Sequence, residues 1–218
     1  MTTSATFVDE LEAYKDALLA PIVAAGATSL DGTATQDPRA LLQVALANEI
    51  QVSELAAAWM PTTREIDVKL AFARQAGDEA GHFQLVAERL AAHGVDLAAY
   101  TPPTGSPLFA YLRDLPSTVE RIAAGLFTLE SLAYAVNETF MAFCEARGDA
   151  ETVRIYRDYI QPDERAHQLL GHALLAKYAV TPAQQALARA TVTRLLEIAT
   201  ATRAATAAKL GIACLPGC

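Results

Sequence analysis

The sequence contains two copies of the pattern Asp-Glu-x-x-His, one ending at His82 and the other at His167. A Glu and a His three residues apart lie on the same face of a helix, so both side chains can reach one metal ion. With 14 Glu and 4 His in 218 residues, chance gives about 0.26 Glu-x-x-His pairs and about 0.013 that also carry the preceding Asp. A solvated helix face explains two copies poorly, so each copy predicts half of a metal site.

Two metal ions need further carboxylates from neighbouring helices. Bundles that hold two iron or manganese ions take one Glu from each of two helices and one Glu-x-x-His from each of the other two. Glu49 and Glu54 precede the first copy, and Glu130 and Glu138 precede the second. Glu49 and Glu130 lie in apolar stripes. In two antiparallel helices, residues at the same level are equally far along the chain from the turn that joins the helices. Glu49 and the first copy meet this condition, and so do Glu130 and the second copy. The predicted metal ligands are Glu49, Glu79, His82, Glu130, Glu164 and His167.

Two further residues lie on the helix that carries Glu130. Glu138 is predicted to be an additional carboxylate just outside the metal ligands. Tyr134, one helical turn after Glu130, is a candidate catalytic residue because a phenol there could gate the site or donate an electron. A tyrosine packed in the core is the alternative interpretation of Tyr134.

The elements that must position these residues are helices. Hydrophobic residues make up 52% of the chain and aromatic residues only 7%, with Ala and Leu dominant, which favours an all-α fold. Hydrophobic spacing and helix-start signals predict helices at 5–26, 37–59, 62–93, 117–147, 149–180 and from 182 to about 211, with a proline-rich crossover at 95–116. This order predicts one domain over 1–218, a four-helix bundle over about 37–180 with an N-terminal and a C-terminal flanking helix.

Local signals predict several of the helix boundaries. Asp37 before Pro38 predicts an N-cap, and the pairs Thr62 with Glu65 and Ser117 with Glu120 predict capping boxes. Thr181 and Pro182 predict the start of the last helix, and Pro162 predicts a kink or bulge just before the second motif.

Charge and hydropathy exclude other classes. The formal net charge is −8 and the pI is near 5.0, with no basic stripe, which argues against a nucleic-acid partner. The longest apolar run, 17–27, is too short to span a bilayer and contains Pro21, so we expect a soluble, cytoplasmic protein with no membrane partner. Cys144 is expected in the core, and Cys214 and Cys218 form an incidental tail pair or a tail disulfide.

In the order and spacing of the six ligands, the chain resembles the ferritin-like, carboxylate-bridged di-iron proteins, over residues 37 to about 178. The run LAFARQAGDEAGHFQLVAERL is most similar to the catalytic subunit of the phenylacetyl-CoA epoxidase family, and DERAHQLLG is a looser match to its second motif. The resemblance implies two iron ions, or manganese, with O₂ as co-substrate. It also implies a small organic substrate such as an acyl-CoA thioester or aromatic acid derivative, an electron-donor reductase, and a small homo-oligomer such as a dimer.

The resemblance also implies a role for Asp78 and Asp163, which precede the two motif glutamates. Each is expected to orient the His of the opposite motif by accepting a hydrogen bond from its ring. Solvated aspartates are the alternative.

The leading functional hypothesis is an O₂-activating oxidase or oxygenase. The alternatives are a ferroxidase of bacterioferritin type, an inactive partner subunit, a manganese catalase and a tRNA-modifying hydroxylase.

Overall fold

The prediction of an all-α fold is confirmed by the computed structural model, which describes residues 4–31 and 37–210 and contains no strand in those ranges. Within them no helix is long and apolar enough to cross a membrane. The tail with Cys214 and Cys218 lies outside the described residues. The elements in chain order are α1 (Ser4–Asp31), α2 (Pro38–Thr62), α3 (Ile66–Ala92), α4 (Pro107–Arg113), α5 (Thr118–Ile122), a first π-helical segment (Ala123–Leu129), α6 (Glu130–Glu145), α7 (Ala150–Ile155), a second π-helical segment (Tyr156–Ile160), α8 (Gln161–Tyr178) and α9 (Pro182–Leu210).

Three of the predicted helix starts are confirmed. The Asp37 side chain accepts a hydrogen bond from the Arg39 amide, with Pro38 as the first helical residue. Ser117 and Glu120 form a capping box at the start of α5. At the start of α9, the Thr181 hydroxyl accepts a hydrogen bond from the Gln184 amide, and the side-chain oxygen of Gln184 accepts one from the Thr181 amide.

The capping box predicted at Thr62 and Glu65 is wrong. Thr62 does not cap α3, because α2 continues through Thr62 and its hydroxyl donates to the Trp59 carbonyl. Glu65 precedes α3 without a capping hydrogen bond, since its carboxylate accepts from the Thr118 hydroxyl at 2.6 Å instead. The crossover predicted at 95–116 contains the short helix α4.

Four long helical stretches carry the candidate residues. α2 and α3 form the most extensive helix pair, joined by a three-residue connection. α5, the first π-helical segment and α6 run without a break over 118–145, and α7, the second π-helical segment and α8 do so over 150–178. Between the last two stretches Gly148 adopts a φ of 74°, a conformation that glycine adopts at little cost. α1 packs on α6 and α8, and α9 packs on α4, α5 and the first π-helical segment.

The buried hydrophobic residues form two clusters, one at each end of these helices. On α2, Leu46 belongs to one cluster and Val52 to the other, and the same change occurs between Phe72 and Val86 on α3. On α8 and the π-helical segment before it, the change from one cluster to the other occurs between residues 160 and 174. The candidate ligands of these helices fall between the two clusters, so the polar site is enclosed by apolar packing on both sides.

Each of the two π-helical segments precedes a candidate ligand on its helical stretch. The first ends at Leu129, next to Glu130. The second ends at residue 160, four residues before Glu164 and just before Pro162, where a kink or bulge was expected. A π-helix leaves a carbonyl without its usual partner, and side-chain hydroxyls can compensate. In the first segment, Thr128 donates to the Ala123 carbonyl at 2.6 Å and Ser131 donates to the Phe127 carbonyl at 2.7 Å.

Gly171 of α8 lies against the backbone of the first π-helical segment. A Cβ at this position would lie 2.7 Å from the carbonyl carbon of Leu126 and from the amide nitrogen of Phe127. Backbone atoms cannot move aside as a flexible side chain can. The absence of a side chain at Gly171 therefore sets the distance between α8 and the segment that leads into Glu130.

We predict that Gly171→Ala lowers the free energy of unfolding by about 1–3 kcal/mol through overpacking against backbone. Gly77→Ala is the matched control, because an added Cβ on this exposed α3 residue meets nothing within 4 Å. The control should be stabilised by about 0.5–1 kcal/mol from helix propensity. Urea unfolding followed by circular dichroism measures both, and equal stability of the two variants would contradict the proposed packing.

Candidate metal centre

The six predicted ligands converge in the interior. Their side chains come from four helices, and none is more than 2% exposed. They form two overlapping groups in which one ligand atom per residue lies within 4.8 Å of every other. The first group is Glu49, Glu79, His82 and Glu164, and the second is Glu79, Glu130, Glu164 and His167. Two adjacent positions therefore exist where an ion could be bound, with Glu79 and Glu164 common to both.

The distances assign a place to each residue around the two positions. Nδ1 of His82 lies 3.4 Å from Oε2 of Glu79 and 3.6 Å from Oε2 of Glu49. Nδ1 of His167 lies 3.6 Å from the other oxygen of Glu79 and 3.7 Å from Oε2 of Glu130. Glu79 thus faces one imidazole with each oxygen, as a carboxylate between two ions would. Glu49 and Glu130 each lie at one position only.

The two aspartates lie beside the opposite motif's histidine. Nε2 of His167 is 3.1 Å from Oδ2 of Asp78, and Nε2 of His82 is 3.3 Å from Oδ2 of Asp163. Each imidazole therefore points Nδ1 at the glutamates and can donate from Nε2 to an aspartate. Such a partner fixes the ring orientation and the tautomer that a metal requires. Asp78 also pairs with Arg74 at 3.3 Å.

Five of the six ligand side chains have buried atoms without a hydrogen-bond partner among the described residues. Both oxygens of Glu49, Glu79 and Glu164, and Nδ1 of both histidines, have no hydrogen-bond partner in the part of the chain that the structure describes. A buried polar atom without a partner costs about 1–3 kcal/mol, and more when charged. Eight such atoms facing one space fit a pair of cations, and oxygen with imidazole nitrogen is the donor set that suits iron or manganese.

The protonation of the centre follows from its crowding. Burial, together with the charge of Glu130, raises the pKa of Glu79 and Glu164 well above its ordinary value. Burial alone would lower the pKa of both histidines, but the facing carboxylates outweigh it and raise the pKa of His82 to about 11 and that of His167 to about 9. Burial also acts to raise the pKa of Glu130, yet its contacts with Glu164, His167 and Gln75 hold it below the ordinary value.

Glu138 belongs to neither of the two ligand groups, and Tyr134 lies one turn after Glu130 on the same helix. Glu138 is exposed and accepts a hydrogen bond from Gln161 at 2.7 Å, and its role beside the metal ligands remains a prediction. It is eight residues beyond Glu130, or about 12 Å along the helix and 80° around it. Tyr134 is half-buried, and the hydrogen bond that the structure gives for it is made by its backbone carbonyl, to Gln161. Its catalytic role remains a prediction.

Two polar residues of this region were not predicted from the sequence. Gln75 is buried one turn before Glu79, and its side-chain amide donates a short hydrogen bond to Oε1 of Glu130. Gln75 lies four residues before Glu79, and this spacing, which places both on one helix face, is the sequence feature that could have predicted it. Lys15 of α1 is also buried, and its Nζ donates to the hydroxyl of Ser131 at 2.7 Å. No local pattern links Lys15 to Ser131, because 116 residues separate them.

Comparisons of the chain with protein-family models, with curated proteins and with solved structures found no match.

We predict that Asp78→Ala and Asp163→Ala each lower metal affinity by roughly 10–100-fold with the fold intact, because the opposite imidazole loses its orienting acceptor. Asp158→Ala is the matched control, since Asp158 is an exposed aspartate that pairs with Arg157 on the surface. Titration with Co(II), followed by absorbance, measures the affinity, and circular dichroism checks the fold. Wild-type affinity in both motif variants would mean that these aspartates are merely solvated.

A second prediction concerns protons. In the metal-free chain at pH 7, pKa values of about 11 and about 9 leave His82 and His167 protonated, and burial favours the protonated forms of Glu79 and Glu164, whereas metal binding requires all four to be deprotonated. Uptake of two divalent ions should therefore release at least the two imidazolium protons, and affinity should fall as the pH falls. Calorimetry in buffers of different ionisation enthalpy measures the release. A binding enthalpy that does not depend on the buffer would contradict the prediction.

Proposed function

We propose that this protein is an O₂-activating oxidase or oxygenase with two iron ions, or manganese, in a ferritin-like four-helix bundle, and that it acts on a small organic substrate. The observation that carries the proposal is the pair of overlapping ligand groups, in which the oxygens of Glu49, Glu79 and Glu164 and Nδ1 of both histidines lack hydrogen-bond partners among the described residues. Four of the six ligands are carboxylates, and this donor set favours iron or manganese over zinc or copper.

The proposed roles of the residues follow their positions. Glu79 and Glu164 would be shared by both ions, while Glu49 with His82 and Glu130 with His167 would each complete one position. Asp78 and Asp163 would hold the imidazoles with Nδ1 deprotonated and directed at the ions. The ions, when bound, would supply the electrons that reduce O₂, and an external reductase would replace them.

Two features of the fold support an enzyme rather than an iron store. π-helical turns occur frequently at functional sites, and here one directly precedes Glu130 while the other precedes the second motif. In addition, α1 and α9 pack against the stretches that carry Glu130 and Glu164. These helices would encumber a compact cage subunit, and they cover the centre on that side.

The first test is the metal content after anaerobic reconstitution with Fe(II). We expect two ions per chain in the wild type, fewer in Glu130→Ala, and two in Glu138→Ala, because Glu138 is exposed and lies away from the centre. Metal analysis after desalting measures the content. One ion or none in the wild type, or loss of an ion in the Glu138 variant alone, would refute the ligand assignment.

The second test separates an enzyme from an iron store. We expect the reduced, iron-loaded protein to elute as a small oligomer and to consume O₂ faster with a suitable acyl thioester or aromatic acid, yielding an oxygenated or desaturated product. An oxygen electrode, mass spectrometry of the product and size exclusion provide the measurements. A large hollow assembly that accumulates hundreds of irons per particle would instead indicate a ferroxidase.

A further inference from the structure

The carboxylates at the two proposed metal positions are treated differently by their surroundings. Neither oxygen of Glu49 has a hydrogen-bond partner in the described part of the chain. In Glu130, by contrast, Oε1 accepts the hydrogen bond from Gln75, and Oε2 is the oxygen that faces His167. The two positions are otherwise matched, since each has one histidine, one carboxylate of its own and the shared pair Glu79 and Glu164.

We infer that Gln75 is a positioning residue that makes the two metal positions unequal by holding Oε1 of Glu130, so that Oε2 is the oxygen directed at the position with His167. The inference rests on the proposed function, because it requires that both positions bind metal. It assigns Gln75 to the position formed with His167 and leaves the position formed with Glu49 and His82 independent of it.

The placement of Gln75 supports this role. It belongs to α3, whereas Glu130 begins α6, so the hydrogen bond joins two helices directly at the centre. Gln75 is only 1% exposed, so water does not compete for its amide. The backbone of Glu130 is held as well, because the Gln168 amide donates to the Glu130 carbonyl at 3.0 Å. Glu130 is thus fixed at its main chain from α8 and at its carboxylate from α3.

Loss of the Gln75 amide should weaken the position formed with His167. An ionised carboxylate in a buried site needs donors, and without Gln75 the Oε1 atom of Glu130 would lose the donor that α3 supplies. The carboxylate would also be free to rotate away from the direction in which Oε2 meets the ion. Removal of such outer hydrogen bonds typically lowers metal affinity by about 10–100-fold.

The test measures each position separately. His82→Ala leaves the position with Glu130 and His167 complete, and His167→Ala leaves the position with Glu49 and His82 complete. Adding Gln75→Met, which keeps the side-chain length and removes the donor, should weaken Co(II) binding about 10–100-fold in the first background. In the second background the affinity should stay near that of the parent. The visible absorption bands of bound Co(II) should change in the first background only.

Gln161→Met is the matched control, because it removes another buried glutamine amide, one that contacts the Tyr134 carbonyl and the Glu138 carboxylate rather than Glu130. Its affinities should stay near those of the parents. Gln75→Leu serves if Gln75→Met does not fold, as checked by circular dichroism. Equal weakening in both backgrounds, unchanged binding in both, or tighter binding in the first would overturn the role of Gln75. A wild-type chain that binds no Co(II) would instead overturn the proposed function, and the inference with it.

Discussion

The structure depends on the burial of four carboxylates and two imidazoles in contact with one another. Two ionised carboxylates about 4 Å apart repel by roughly 4 kcal/mol at the effective dielectric constant of a protein. None of the six side chains is exposed enough for water to relieve that repulsion. The centre can therefore persist in only two ways: it takes up protons, as the raised pKa values of Glu79, Glu164 and the two histidines indicate, or it takes up cations.

The fold meets this constraint by holding the centre between two apolar clusters and by tying the two motif helices to each other. The Asp of each motif lies beside the His of the other, so the register of α3 against α8 is specified twice. Sliding one helix by a single residue would turn its aspartate and its histidine by about 100° and break both pairs. The two Asp–His pairs that orient the imidazoles are therefore also compatible with only one register of α3 against α8.

The parts of the site that could be predicted from the sequence are those governed by local geometry. Glu49 and Glu130 were identifiable because antiparallel helices place residues equally far from their turn at one level, and the structure gathers both with the motif residues. Glu138 lies on the same helix as Glu130, but its exposure and its hydrogen bond to Gln161 depend on the rotation of that helix, which the residue type does not reveal. The contacts of Gln75 with Glu130, of Lys15 with Ser131 and of Glu65 with Thr118 all depend on partners from other helices, which spacing along one helix does not reveal.

A cavity of about 840 Å³ lies on the other side of α2 from the centre, and residues of the crossover form part of its wall. The cavity lies between α2, the crossover and α9, and its lining includes Val44, Ala47 and Gln51. At 100° per residue these side chains point about 140–160° away from Glu49, so the cavity and the ligands occupy opposite faces of the same helix. A molecule in this cavity would contact α2 without contacting the six ligands. Under the proposed function, a substrate would have to approach the centre from another side. The edge with Asp78 and Asp163 is one such side, because these aspartates connect the buried imidazoles to partly exposed positions.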